Sequence, residues 1–168
     1  ALAQYFYVDK ATYPNGFNLT DLRFQGQNGQ DPVIEIYDGS RSISTASLIQ
    51  RVNYNFWGYN YPITLKEQIH FAPGSSFWVV AKFPAGAKNP LGTGKTTRTD
   101  VAQYSFYSSD NGTTWTQLSE VLKGTSFEAI ASQLTWAVQA ISKNPDWSQV
   151  LNPEPISGEV RPNESQKV

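Results

Sequence analysis

The chain has 168 residues, a formal net charge of -1, no cysteine and no methionine. That length suits one domain with a real core, and the missing cysteines exclude thiol catalysis, disulfides and Cys-ligated zinc together. A near-neutral charge gives no footprint for nucleic acid, and no apolar run approaches the roughly 20 residues of a membrane span, so neither nucleic acid nor membrane insertion is expected.

Five Trp, nine Tyr and nine Phe stand among Gly, Asn, Thr and Ser, a composition suited to strands more than to helices. A first strand is expected at 5–8, followed by turn chemistry at Pro14 and Gly16 and a second strand over 19–24. A β-branched run at 33–39, bounded by Pro32 and Gly39, predicts a third. A strand near 48–54 leads into an aromatic loop, and short strands follow at 63–65 and 68–71. After Pro73-Gly74, segment 77–83 is apolar on both faces, as in the central strand of a two-layer sandwich, with Phe77, Val79, Ala81 and Phe83 opposite Trp78, Val80 and Lys82. Strands at 103–108 and after Trp115 flank a tight turn, and 134–140 alternates Leu134, Trp136 and Val138 inward. Only 119–123 and 128–133 read as short helices. Eight or nine strands at this spacing predict an all-β fold, an antiparallel β-sandwich of jelly-roll type.

Residues 108–115, SSDNGTTW, fit the pattern S-x-D-x-G-x-T-W at Ser108, Asp110, Gly112, Thr114 and Trp115. The pattern resembles the Asp-box of sialidases and many secreted β proteins. Its chemistry is that of a turn: Asp110 accepts from following backbone N–H groups, Gly112 takes positive φ, and Trp115 folds beneath as a plug. A propeller would need the box to recur, and it occurs once.

The order of YPNGFNLTDLRF, VIEIYDGS, HFAPGSSFWVVAKFP and YSFYSSDNGTTW is similar to that of lectin-like or jelly-roll accessory domains of secreted bacterial surface proteases and adhesins. The tail LNPEPISGEVRPNESQKV, residues 151–168, resembles the opening of an immunoglobulin-like repeat. The resemblances imply a sandwich module over 1–150, with 151–168 a linker or the first strand of a following module. They also imply a secreted or cell-surface location, with adjacent domains of the same parent protein as partners. The opening residues carry no signal-peptide pattern, as expected of mature sequence.

Candidate ligand-binding residues lie in YNFWGYNYP, residues 54–62, where Tyr54, Phe56, Trp57, Tyr59 and Tyr61 offer rings for stacking and Asn55 and Asn60 offer amides for hydroxyls. A glycan is the ligand this implies; packing against the sandwich or a neighbouring domain is the competing use. No catalytic residue is assigned. His70 is the sole histidine and reads as a strand-edge residue, and no G-x-S-x-G elbow exists. A glycosidase needs only two carboxylates, for which Asp21, Glu35, Asp38, Glu67 and Asp110 are the candidates. Segment 92–96, GTGKT, lacks the first glycine of a phosphate loop and reads as a mobile loop, with Lys82, Lys88, Lys95 and Arg98 a solvated basic face. No cofactor is expected beyond a structural calcium, for which Asp38-Gly39 is first a turn signal. Sequons stand at Asn18, Asn111 and Asn163. The resulting expectation is a non-catalytic accessory module serving stability, spacing or partner contact. The alternatives are a carbohydrate-binding module or a small glycosidase or other hydrolase.

Overall fold

The computed structural model describes residues 1–25, 31–40, 42–53, 62–86, 91–95 and 104–143, and the backbone of 148–151. Twelve strands are found among them: β1 (Leu2–Tyr7), β2 (Phe17–Phe24), β3 (Val33–Asp38), β4 (Leu48–Asn53), β5 (Pro62–Phe71), β6 (Ser76–Lys82), β7 (Thr93–Lys95), β8 (Ser105–Tyr107), β9 (Thr116–Gln117), β10 (Leu134–Trp136), β11 (Val138–Lys143) and β12 (Ser148–Leu151). A single helical turn, α1 (Leu118–Val121), and a 3-10 segment at Glu128–Gln133 fall where short helices were expected.

The strands form a six-stranded sheet in the order β4-β3-β6-β1-β8-β9 and a four-stranded sheet in the order β12-β11-β2-β5. Every pairing is antiparallel, and β7 and β10 make a separate two-stranded ribbon. The two larger sheets pack face to face. Leu2, Phe6, Ile34, Ile36, Phe77, Val79 and Ala81 from one meet Phe17, Leu19, Leu22, Phe24, Ile63, Leu65, Phe71, Val138 and Ala140 from the other in one buried cluster. Period-2 alternation delivers these side chains to the interior. At the corner where the chain passes from β5 to β6, Ala72-Pro73-Gly74-Ser75 closes a turn with Ser75 N–H donating to Ala72 O at 3.0 Å and Gly74 at φ 79°. The turn brings the rings of Phe71 and Phe77 to 4.2 Å, stacked across the two layers. These pairings establish an antiparallel sandwich; the finer jelly-roll order is not contained in them.

Three departures from the sequence reading have physical causes. The strands expected at 63–65 and 68–71 are one strand, but its register against β2 jumps between Ile69 opposite Leu19 and Thr64 opposite Asp21. The gap in apolar alternation at Lys66 and Glu67 therefore marks an irregularity inside a strand rather than a break between two. The run 134–140 is divided at Ala137: β10 pairs with β7 while β11 pairs with β2. Leu134, Trp136 and Val138 are all buried as alternation requires, yet Ala137 bonds to Gly92 O and to Gln25 N–H and so redirects the chain between ribbon and sheet. Thr93–Lys95, where the sequence predicts a loop, is a strand on β10. One polar plug crosses the interior: the buried Gln4 side-chain oxygen accepts from Ser105 Oγ at 2.7 Å and Trp136 N–H at 3.2 Å, tying β1, β8 and β10 together.

Candidate binding face

The six-stranded sheet has a second, outward face that is not simply polar. Because alternation sends Leu2, Gln4 and Phe6 inward, Ala3 and Tyr5 face out; the same rule turns Trp78 and Val80 outward from β6, and Glu35 and Tyr37 outward from β3. Register then lines up Tyr5, Trp78 and Tyr37 across three neighbouring strands. Tyr5 meets Trp78 edge-on at 4.9 Å and Tyr104 at 4.8 Å, while Trp78 meets Phe106 at 5.6 Å. Tyr5, Tyr37, Tyr104, Phe106 and Trp115 are half-buried around the wholly buried Trp78.

Trp78 is covered by the connection between β3 and β4. Its indole N–H donates to Ser40 O at 2.7 Å, and Ile43 packs against it. Asp38 holds that connection closed, its Oδ1 accepting from Ser47 N–H, Ser40 N–H and Ser40 Oγ at 3.1, 3.3 and 3.0 Å. The hydrogen bond from Ser47 is the leading reason that the Asp38 carboxyl sits below its ordinary range. Gly39 is obligatory here: a Cβ at this position would fall 2.0 Å from Ser76 Oγ.

Beside the rings lies a charged knot. Glu35 is 1% exposed, and its carboxylate accepts from Arg51 Nη2 at 2.6 Å, Arg51 Nε at 2.8 Å, Lys82 Nζ at 2.9 Å and Tyr37 OH at 2.5 Å. Burial pushes the Glu35 carboxyl up, but the bonds from Tyr37, Lys82 and Arg51 together outweigh it and leave the carboxyl below its ordinary value. For Tyr37, burial first and the bond to Glu35 second act in the same direction and raise the phenol to about 12. A second buried carboxylate, Asp21, belongs to the four-stranded sheet and is met by Lys143 Nζ at 2.6 Å and by Thr20 Oγ1 and Thr64 Oγ1, each at 2.7 Å. There too burial is overcome by the hydrogen bonds, and the carboxyl is lowered.

The turn at 108–115 borders the same face, between β8 and β9. Asp110 accepts from Ser108 Oγ at 2.7 Å, Thr113 N–H at 3.2 Å, Thr114 N–H at 2.9 Å and Thr114 Oγ1 at 2.6 Å. The Thr114 hydroxyl leads the set that holds this carboxyl far below its usual range. Asn111 at φ 60° and Gly112 at φ 99° reverse the chain, and Gly112 N–H donates to Ser108 Oγ at 2.7 Å. The half-buried Trp115 ring lies under the turn: a Cβ at Gly112 would stand 3.3 Å from Trp115 Cζ2 and 3.3 Å from Lys82 Cε. Lys82 thus runs from beneath the turn to Glu35.

The proposed stacking residues Tyr54, Phe56, Trp57, Tyr59 and Tyr61 lie outside the described residues. His70 is exposed on β5, an edge strand, where its Nδ1 shares a hydrogen bond with Asn18 Oδ1 at 2.7 Å. The five candidate carboxylates are dispersed over both sheets and two turns: Glu67 lies on β5, where its backbone carbonyl accepts from Gln50 Nε2 at 3.2 Å. Lys82 is no solvated cation but the partner of a buried acid, which corrects its assignment to a basic surface; Lys95 lies on β7, and Lys88 and Arg98 fall outside the described residues. Among the described residues, no group of three or more His, Asp or Glu side chains could hold a metal ion. The same residues contain no helix long and apolar enough to cross a membrane.

Sequence reasoning missed Arg51 and Lys82 as partners of Glu35, and the row of rings built from β1, β6, β8 and their flanks. The one available signal was the apolar outer register of 77–83, which requires that something cover or use that face. No family model, curated protein or solved structure matches this chain.

Proposed function

We propose that the chain is a non-catalytic β-sandwich module of a larger secreted or cell-surface protein, and that the outer face of its six-stranded sheet contacts a neighbouring domain or other partner. The observation that carries this reading is the row of half-buried rings, Tyr5, Tyr104, Phe106 and Trp115, on a sheet face that an isolated domain would make polar. The carboxylates are committed to structure. Glu35, Asp38 and Asp110 around this face, and Asp21 on the other sheet, are each hydrogen-bonded several times, and each carboxyl is lowered, whereas a general acid requires a raised one. The secreted setting rests on the likeness of the sequence segments to accessory domains of bacterial surface proteases and adhesins.

Carbohydrate binding is the second reading, favoured because the same rings present stacking surfaces bordered by hydroxyls, with the aromatic run 54–62 as further supply. A glycan array probed with the chain and with Tyr104→Ala separates the two. Saturable binding lost in the variant supports the lectin reading; no glycan binding, with intact folding, supports the contact module. Assays on peptide, ester and glycoside substrates are expected to show no turnover. Activity abolished by Glu35→Gln or Asp38→Asn would overturn the non-catalytic assignment.

A further inference from the structure

The Asn-Gly pair inside the 108–115 turn has a chemistry that its hydrogen bonding restrains. An Asn-Gly peptide is prone to cyclise because glycine offers no side chain to shield its amide nitrogen. In that reaction the Gly112 nitrogen, having lost its proton to solvent base, attacks Asn111 Cγ. The N–Cγ bond forms, the Cγ–Nδ2 bond breaks, and ammonia leaves with a proton from water. Water then opens the succinimide at either carbonyl, giving aspartate or isoaspartate, so the balance is amide plus water to acid plus ammonia.

Asn111 is exposed, and its reversed backbone leaves the side chain at the tip of the turn. What differs from an unstructured Asn-Gly is the nucleophile. Its N–H donates to Ser108 Oγ at 2.7 Å, and Ser108 is itself buried and fixed by donating its hydroxyl proton to Asp110 Oδ1 at 2.7 Å. We infer that Asn111-Gly112 is a latent succinimide-forming site kept silent by the Ser108 hydroxyl. A bonded amide is harder to deprotonate, and a nitrogen directed at Ser108 is not free to swing onto Asn111 Cγ. The turn must open before the reaction proceeds, so the rate is set by the open fraction. Conversion would place a second negative charge beside Asp110 and, as isoaspartate, lengthen the backbone by one methylene between Asp110 and the Thr113 and Thr114 amides that it holds.

The fold contains its own control. Asn15-Gly16 is the other Asn-Gly pair among the described residues, and its glycine N–H is held by a backbone acceptor, Tyr13 O at 3.0 Å. Loss of the Ser108 hydroxyl must therefore release Asn111 and leave Asn15 unchanged, whereas general loosening would release both.

The test is peptide mapping by mass spectrometry of the intact chain after incubation in mildly alkaline buffer, with Ser108→Ala and Ser108→Thr alongside. Ser108→Ala removes both bonds of this hydroxyl; loss of the one that holds the Gly112 amide alone corresponds to roughly five-fold faster conversion at Asn111, which is the least expected. Asn15 should keep its rate, and Ser108→Thr, which retains the hydroxyl, should stay within about two-fold of the parent. Equal rates at Asn111 in the parent and Ser108→Ala, or equal acceleration at Asn15, would overturn the inference. Should Ser108→Ala fail to fold, amide hydrogen exchange at Gly112 of the parent decides: protection supports the silent site, and exchange as fast as a free amide sinks it.

Discussion

Glu35 and Asp110 are both carboxylates that accept four hydrogen bonds, yet they solve opposite problems. Glu35 is 1% exposed and relies on three partners, the neutral Tyr37 two residues away and the cationic Arg51 and Lys82, 16 and 47 residues away in the chain. Asp110 is exposed and is served entirely by neutral donors from residues 108–114. The first joins three strands and lies on the scaffold of the outer face; the second shapes one turn at its border. Burial sets the difference in consequence. An unpaired charge in the sheet has no water to fall back on, whereas an aspartate at a turn tip does.

Removing the ring at the centre of the outer face should do the most damage. Trp78→Ala deletes a wholly buried ring and its bond to Ser40, and is expected to cost roughly 4 kcal/mol in denaturant unfolding, where a value below about 1.5 kcal/mol would show the outer cluster to be loosely packed. Next comes Lys82→Met, which strips one cation from Glu35. The expected loss is about 2 kcal/mol, below the roughly 3–5 kcal/mol of a fully broken buried pair, because Arg51 remains. Replacing both partners tests the coupling directly: Glu35→Gln with Lys82→Met should cost less than the sum of the single changes, and strict additivity would mean that the two do not interact.

Acid sharpens the comparison further. Glu35 and Asp21 are both lowered from ordinary values of 4.5 and 3.8, so the unfolded chain takes up their protons first as pH falls. Their contribution is complete above about pH 6 and is lost as pH drops through the ordinary values toward the folded ones. Melting temperature recorded between about pH 3 and 7 should fall on the acid side, and less steeply in Glu35→Gln than in the parent. An unchanged slope would assign the acid sensitivity elsewhere. The smallest effect is expected at the turn: Asp110→Ala should lower the melting temperature less than any change above and leave partner or glycan binding on the ring face intact. A larger loss than Lys82→Met would invert the ranking of the two networks.

The same contrast explains what could be read without a structure. The hydrogen bonds of the 108–115 turn are local: Ser108, Asp110, Gly112 and Thr114 form them at separations of two to four residues, which sequence spacing specifies directly. The inward residues of β6 and the all-β class were legible for the same reason, since alternation is a property of the local backbone. Arg51 and Lys82 gave no such sign. Nothing near Glu35 in the chain distinguishes a solvated glutamate from one buried between β4 and β6, and only the strand order β4-β3-β6 places the two cations on it. The split at Ala137 was likewise decided by pairing partners, because Leu134, Trp136 and Val138 alternate identically whether the strand is continuous or shared between ribbon and sheet. Local stereochemistry thus determined the all-β class, the tight turn and the alternation of side chains along a strand; where some strands begin and end, which become neighbours, and hence which charges and rings share the outer face, was decided by the packing of two sheets around one core.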